Sequence, residues 1–278
     1  MIAAGRLQQN SAEELSADTP PEPIGFVRRL APRLGRAAIT FAGLILVWEA
    51  AVRIFRPAPW IVPAPSSVFA TLVEQRAYLG ENALVTLGEI GIGLALGGLL
   101  GSLVALLLIS SAGARRWLLP LVLASQALPV FAIAPLLVIW LGYGLASKIA
   151  MATLIIFFPV ASAFFDGLRR TDPALLDLAK LQGAGKLATL RLIRVPAALP
   201  GLASGLRVAA AAAPIGAVVG EWVGASAGLG YVMLHANARM QTDLVFAALA
   251  VLGVTAALLW FAVDAVLARL LPWSAERG

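Results

Sequence analysis

The stretch Ala83–Ile109 reads ALVTLGEIGIGLALGGLLGSLVALLLI and contains a single charged residue, Glu89. A helix rises 1.5 Å per residue, so about 20 apolar residues cross a hydrocarbon core roughly 30 Å thick. This stretch is longer than that minimum and therefore predicts a transmembrane helix. The chain that contains it is predicted to be an integral membrane protein.

The composition of the whole chain supports this prediction. Of its 278 residues, 60% are hydrophobic and 13% are charged, whereas soluble domains carry about 25% charged residues. The formal net charge is +6, but the basic residues form short clusters between apolar runs, as in proteins whose loop charges orient membrane helices. We therefore expect no nucleic-acid partner. The absence of cysteine and the single histidine, His235, exclude disulfides, thiolate sites and multi-histidine metal sites.

Five further apolar segments are candidates to cross the membrane, which makes six spans in an all-α fold. They are Ala37–Phe55, Leu118–Leu141, Ile149–Phe165, Leu202–Gly224 and Leu244–Leu271. Residues 1–36 are polar and are predicted to be a cytoplasmic, largely disordered tail. Residues 37–271 then form the transmembrane domain, and residues 272–278 form a short cytoplasmic tail.

The distribution of Lys and Arg predicts the orientation of these spans. With both termini in the cytoplasm, fifteen of these residues lie inside and five outside, Arg207 in the fifth span being left out. The five on the outer side are Arg53, Arg56, Arg76, Lys148 and Arg239. Because cytoplasmic loops carry the excess of positive charge, both termini are predicted to be inside.

Small residues recur every four positions on two of the spans. One face of the second span carries Gly93, Gly97 and Gly101, and one face of the fifth carries Gly216, Gly220 and Gly224. Such faces allow close helix approach. They predict ordinary packing inside one chain, with a dimer interface as the alternative.

Prolines interrupt the third span at Pro129 and Pro135 and the fifth at Pro214. A proline removes a backbone donor and kinks its helix, and the freed carbonyls need protein or water nearby. We therefore expect these spans to line the interior of the bundle. Pro129 and Pro135 are candidates for a translocation pathway.

The segment 166–200 is the longest predicted cytoplasmic loop and has its own helical signals. Asp172-Pro173 is typical of an N-cap followed by proline at the first helical position. An apolar helical face follows, and Gly183-Ala184-Gly185 then breaks the helix. A second short helix is predicted over residues 186–194, ended by Val195-Pro196. The pattern predicts a helix–turn–helix at the membrane surface, with a re-entrant or amphipathic surface loop as the alternative.

The spacing in this loop resembles that of the permease subunits of binding-protein-dependent ABC importers. Their pattern is Glu-Ala-Ala, three residues, Gly, nine residues, Ile, one residue, Leu-Pro. The sequence here has Asp177-Leu178-Ala179, Gly183, Ile193 and Val195-Pro196 at the same spacing. Three residue types differ from the pattern: Asp for Glu, Leu for the first Ala, and Val for Leu.

The resemblance implies a coupling segment, residues 172–196, that docks on a separate ATPase. Its expected coupling residues are Asp177, Ala179, Gly183, Ile193 and Pro196. It also implies two ATPase copies, a homodimer of permeases, an external substrate-binding protein, and a location in the bacterial inner membrane. ATP and Mg²⁺ would be used by the partner, and this chain would carry no cofactor.

Other segments resemble one branch of these permeases. The segment Leu128–Gly144 resembles the third span of permeases for alkanesulfonates, taurine and nitrate, and Glu221 followed by Gly228-Leu229-Gly230-Tyr231 is also similar to that branch. The run Phe164–Arg170 most resembles permeases for pyrimidine precursors of thiamine. The resemblance thus implies a small polar organic substrate, with a thiamine-precursor pyrimidine first and sulfonate, taurine or nitrate as alternatives.

Four acidic residues lie in or near the spans, and a charge in the bilayer usually faces protein or water. Glu221 and Glu89 are candidates to line the pathway, with a structural ion pair or hydrogen bond as the alternative. Glu49 and Asp264 are expected to be packing or interface residues. Gly185-Lys186 lacks the earlier glycine and the following Ser or Thr of a phosphate-binding loop, so we expect no enzyme activity in this chain.

Two other classes of protein compete with an ATP-driven permease. A secondary transporter or channel would call for internal repeats with discontinuous helices, and no clear repeat relates the two halves of the sequence. A membrane scaffold without transport is the other alternative. The loop at residues 172–196 argues against both.

Overall fold

A computed structural model describes residues 24–127 and 129–273, and within these ranges the chain is helical without strands. The helices are α1 (Ile24–Phe55), α2 (Pro65–Glu74), α3 (Arg76–Ser110), α4 (Ala112–Ala127), α5 (Val130–Leu141), α6 (Leu145–Arg169), α7 (Pro173–Leu181), α8 (Lys186–Thr189), α9 (Val195–Gly224), α10 (Leu229–Ala238) and α11 (Thr242–Leu270), and a π-helical turn, Leu190–Arg194, joins α8 to α9.

Four of the described helices are long and apolar enough to cross a membrane. They are α3, α6, the continuous helix Lys186–Gly224 and α11. The first three contain the second, fourth and fifth predicted spans, and α11 contains all but the last residue of the sixth. The bent pair of α4 and α5 is a fifth candidate. The described residues thus confirm an all-α protein with four or five candidate spans, and the number six stays a prediction.

The third predicted span, Leu118–Leu141, is not one helix. The axes of α4 and α5 differ by 104°, and Pro129 stands between them in an extended conformation with φ −66° and ψ 112°. Proline lacks an N–H and disfavours helical backbone in the residue before it, so the chain turns there. Pro135, by contrast, lies inside α5.

The chain divides into two compact units, residues 1–56 and 57–278. The first predicted span, Ala37–Phe55, forms the second half of α1 in the first unit. Because α1 begins at Ile24, it includes part of the predicted tail. Residues 1–23 and 274–278 lie outside the described residues, so the boundaries of the two tails stay predictions.

In the second unit, α6 is the central helix and packs between α3 and α9. A Cβ on Gly93 would lie 2.6 Å from the Cβ of Ala152, and one on Gly216 would lie 3.0 Å from the Cα of the same residue. The other glycines of the two stripes likewise lie against α6 or α5. Packing inside one chain is therefore confirmed for these faces, and they are not open to a second copy.

Two apolar clusters mark opposite ends of α3. At its start, Leu79 packs with Leu229, Val232 and Ala247 of α10 and α11. Near its end, Leu108 packs with Phe164 and Ala198, among others, from α6 and α9. One candidate site lies at each of these ends.

Candidate functional sites

Helix α7 of the predicted coupling segment begins as the sequence indicates. The backbone N–H of Ala174 donates to Asp172 Oδ1 at 2.8 Å, and Pro173 occupies the first helical position. The side chain thus satisfies an N–H group that has no partner within the helix. The predicted N-cap is confirmed.

The turn after α7 depends on Gly183, whose φ is +71°. Its N–H donates to the Lys180 carbonyl, and the N–H of Ala184 donates to the Ala179 carbonyl, both at 2.9 Å. This pair of bonds is the Schellman arrangement, which closes a helix with a left-handed residue that is usually glycine. A Cβ on Gly183 would have no heavy atom within 4 Å, so the requirement for glycine comes from the backbone alone.

The prediction that the following helix ends at Val195-Pro196 is wrong. The helix that begins at Lys186 continues for 39 residues to Gly224. A regular helix would bring the Pro196 ring against the carbonyl four residues earlier, but the wider π-helical turn Leu190–Arg194 precedes the proline and makes room for it. The coupling segment is therefore continuous with a membrane-spanning helix.

The expected coupling residues differ in their exposure. Ala179 is buried, Ile193 is half-buried, and Gly183 and Pro196 are exposed. Asp177 is exposed and forms an ion pair of 2.8 Å with Lys180. Three leucines spaced three apart, Leu175, Leu178 and Leu181, are also exposed, and together they form an apolar face of α7 without a covering element. We call these three residues the leucine face.

At the other end of α3, Glu221 lies in a buried network. Its Oε1 accepts from the Thr86 hydroxyl at 2.7 Å, and its Oε2 accepts from the Gly230 N–H at 2.5 Å. Thr86 Oγ1 also accepts from the Leu229 N–H at 2.9 Å, and Asn82 Oδ1 accepts from the Gly228 N–H at 2.8 Å. Three side chains from α3 and α9 thus bind three successive N–H groups at the start of α10.

Two glycines make room for the Glu221 carboxylate. A Cβ on Gly228 would lie 2.3 Å from Glu221 Cδ, and one on Gly230 would lie 2.8 Å from Oε2. Gly228 also has a φ of +114°, a conformation that residues with a Cβ rarely adopt. The sequence Glu221 followed by Gly228-Leu229-Gly230 therefore has a geometric reason, which is the close approach of a carboxylate to a helix start.

Glu89 of α3 and Lys148 of α6 form a buried ion pair beside this network. Counting Lys148 among outer-loop cations was wrong, because α6 begins three residues earlier and places this side chain in the interior. Burial of an ion pair costs desolvation of both groups, so each charge depends on its partner. We call Asn82, Thr86, Glu89, Lys148 and Glu221 the buried polar cluster.

Sequence reasoning identified Glu89 and Glu221 but missed Asn82, Thr86 and Lys148. A lysine directly before an apolar run looks like a loop residue, and only the start of α6 shows otherwise. Asn82 and Thr86 are two polar residues one helical turn apart on the face that also carries Glu89. That spacing was the available signal.

The remaining charged candidates form ion pairs. Arg207 Nε lies 2.7 Å from Asp264 Oδ1, which connects α9 with α11. Glu49 pairs with Arg53 one turn along α1. His235 lies on α10 and is exposed. In the described ranges no cluster of three or more His, Asp or Glu residues could hold a metal ion.

The four pathway candidates are not brought together. Glu89 and Glu221 are fully buried in the polar cluster, whereas Pro129 and Pro135 are exposed, one at the break before α5 and one within it. Helix α5 contacts α6 and α9 through Ala134 and Leu137 in a separate apolar cluster. That any of these residues lines a pathway stays a prediction.

Comparison with known proteins gives consistent results. The family described as "binding-protein-dependent transport system inner membrane component" matches residues 97–275. A probable ABC transporter permease protein of Haemophilus influenzae is 50% identical and covers 87% of this chain and 98% of its own length. The formylaminopyrimidine transport permease protein of Halalkalibacterium halodurans is 36% identical over 84% of this chain and 93% of its own.

A solved structure shares the fold. The chain resembles a structure of the methionine ABC transporter in inward-facing conformations, with a TM-score of 0.62 and 20% identity over 71% of this chain and 98% of that one. At this identity the likeness concerns the arrangement of helices alone.

Proposed function

The chain belongs to the binding-protein-dependent transport system inner membrane components, and on that premise we propose that it couples to its ATPase through residues 172–196. It is a membrane-spanning permease subunit of an ABC importer. In this family ATP hydrolysis belongs to a separate ATPase subunit, so the permease is not itself an enzyme. A substrate-binding protein is the other partner that the family implies.

The observation that carries the coupling proposal is the leucine face of α7. Leu178 is 51% exposed and Leu181 is 86% exposed, and exposed apolar faces rimmed by polar residues mark interaction sites. The Schellman turn at Gly183 holds this face at a fixed angle to the helix Lys186–Gly224. Force applied by the ATPase to α7 would therefore be transmitted to a helix that crosses the membrane, as in rigid-body rotation.

Within this segment the five residues have different roles in the proposal. Asp177 and the leucine face contact the ATPase, whereas Ala179 anchors α7 inward. Gly183 sets the turn, and Ile193 and Pro196 lie on the continuous helix that receives the movement. ATP and Mg²⁺ are used by the partner, and the permease itself holds no cofactor.

We further propose an assembly of two permease copies, two ATPase subunits and one external binding protein. A single permease chain supplies four or five candidate spans in its described part. The pathway forms between two copies and opens alternately to the two sides of the membrane. Pro129 and Pro135 are our candidates for its lining because both are exposed. Glu89 and Glu221 would reach the pathway only if the buried polar cluster opens.

The orientation that we propose has both termini in the cytoplasm. The charge bias still supports this orientation after Lys148 is removed from the outer group, because fifteen Lys and Arg residues lie on the cytoplasmic side and four on the outer side. On this orientation the leucine face meets the cytoplasmic ATPase, and the buried polar cluster lies toward the external binding protein.

For the substrate we propose a pyrimidine precursor of thiamine. The support is the run Phe164–Arg170 together with the relative that is named a formylaminopyrimidine permease. Sulfonates, taurine and nitrate are the alternatives, and a taurine transport permease of Escherichia coli is 30% identical over 85% of this chain.

Uptake by whole cells tests both parts of this proposal. A strain that lacks the gene for this chain should lose uptake of radiolabelled formylaminopyrimidine and regain it when the chain is restored. Unlabelled taurine, an alkanesulfonate and nitrate are the competitors. If one of these competitors inhibits the uptake, that compound is a substrate as well and the chain is still an import permease. If each of the four compounds, tested in labelled form, enters the deletion strain at the normal rate, the result would contradict an import role for this chain.

A further inference from the structure

A cavity of about 810 Å³ lies beside the coupling segment, at the end of α3 opposite the buried polar cluster. Its walls come from the end of α3, the first turn of α4, Leu176 and Lys180 of α7, and the start of the helix Lys186–Gly224. The leucine face points elsewhere, since Leu175, Leu178 and Leu181 do not line it. The cavity therefore shares the coupling segment with the proposed ATPase contact but does not include the leucine face.

Four cations line this cavity: Arg115, Lys180, Lys186 and Arg194. None of its lining residues in the described part of the chain is acidic. Lys180 pairs with Asp177, but Arg115, Lys186 and Arg194 form no ion pair with any residue in the ranges 24–127 and 129–273. Like charges gathered around one space repel each other, and a bound anion would remove that repulsion.

The remaining walls are largely apolar. Ile109, Leu176, Leu187 and Leu190 line the cavity between the cations. A free inorganic anion would gain nothing from these side chains, whereas a molecule with an anionic head and hydrocarbon chains would contact both kinds of wall. The cavity also lies at the end of α3, and Trp117, two residues after Arg115 on α4, is 76% exposed. Exposed tryptophan is typical of the membrane–water interface.

We propose that this cavity binds the headgroup of an anionic phospholipid, with its phosphate between Arg115, Lys186 and Arg194. Basic pockets among helix ends on the cytoplasmic side are a known type of lipid site. The leaflet depends on the orientation proposed above, which would make it the inner one. The binding itself does not depend on orientation, on the substrate or on transport.

Native mass spectrometry of the purified transporter complex tests the proposal. The probes are phosphatidylglycerol and phosphatidylcholine, added at equal concentration. We expect one phosphatidylglycerol per permease chain to be retained in preference to phosphatidylcholine. In the triple variant Arg115→Gln/Lys186→Gln/Arg194→Gln the affinity should fall roughly tenfold or more, because each basic residue near a membrane surface contributes to anionic lipid binding.

The matched control is Arg116→Gln/Arg170→Gln/Arg191→Gln, which removes the same charge from exposed positions that do not line the cavity. It should retain the lipid. Arg115→Lys/Arg194→Lys keeps the charge and should also retain it, which separates loss of the site from misfolding.

Three results would overturn the proposal. Equal loss in both triple variants would mean general attraction to positive charge. Displacement of the lipid by millimolar inorganic phosphate or ATP would mean a soluble anion as ligand. Binding to the isolated chain but not to the complex would mean that acidic residues of the ATPase fill the cavity. None of these results would bear on uptake, so the lipid proposal and the permease function are tested independently.

Discussion

At the scale of single residues, substitutions at Gly183 and Gly185 separate the effect of backbone conformation from the effect of side-chain size. Each has open space where a Cβ would be, but Gly183 has φ +71° and Gly185 has φ −69°. We expect Gly183→Val to cost about 1–3 kcal/mol in the coupling turn, because a β-branched residue does not accept the left-handed conformation. Gly185→Val should cost little.

The readouts are ATPase co-purification and uptake at equal amounts of permease in the membrane. Gly183→Val should lose one or both while the protein level stays normal, and Gly185→Val should keep both. Equal loss in the two variants would show that the segment is sensitive to bulk and not to backbone conformation at Gly183.

The Glu89–Lys148 pair supplies the second prediction. Glu89→Gln leaves the buried Lys148 charge without its partner, which we expect to cost about 3–5 kcal/mol of unfolding free energy. Asp177→Asn breaks an exposed pair and should cost less than about 1 kcal/mol. Thermal denaturation of the purified protein, followed by aggregation or tryptophan fluorescence, compares the two variants.

A double variant separates structure from transport at this pair. Glu89→Gln/Lys148→Met removes both charges at similar volume and should recover most of the lost stability. If Glu89 instead lines the pathway, Glu89→Gln would leave the melting temperature unchanged and reduce uptake. That result would restore the pathway interpretation.

At the scale of elements, the leucine face gives the third prediction. Leu178→Ser/Leu181→Ser should weaken ATPase binding roughly a hundredfold or more, since each leucine that becomes buried in an interface contributes about 1.5–3 kcal/mol. Gln182→Ser/Arg191→Ser changes exposed polar positions of the same segment that belong neither to the leucine face nor to the cavity, and it is the control. Titration of purified ATPase against permease in nanodiscs measures both affinities. Similar affinities for the two double variants would place the contact elsewhere.

The elements also show what the sequence could predict. The long apolar runs predicted α3, α6, α9 and α11, because length and hydropathy alone decide whether a helix can cross a membrane. The Asp172-Pro173 start and the break at Gly183 follow from local chemistry and were also predictable. Whether a helix ends or continues at a proline was not predictable from the sequence.

Two prolines show why. Pro129 separates two helices at 104°, whereas Pro196 lies within a continuous helix because a π-helical turn precedes it. Whether a proline ends a helix depends on packing that the neighbouring residues do not encode. Lys148 is similar: only its tertiary partner, Glu89, explains why a lysine is stable in the interior.

At the scale of the whole molecule, topology gives the fourth prediction. The chain has no cysteine, so single cysteines can be introduced without a background. Arg239→Cys should react with a membrane-impermeant maleimide in intact cells, and Gly185→Cys should react only after the cells are opened. Labelling of position 185 in intact cells would contradict both the orientation and the cytoplasmic position of the coupling segment.

The buried polar cluster also has a consequence in time. Thr86 and Glu221 are 135 residues apart, and Asn82 and Gly228 are 146 apart. At about 5–20 residues per second, a ribosome needs roughly 7 to 30 seconds to make the later partners after the earlier ones have been made. Until then Asn82, Thr86 and Glu89 lie on a helix already long enough to enter the bilayer. During this time the polar face of the nascent α3 must contact water or the insertion machinery. The helix can therefore move into lipid only after the last third of the chain has been made.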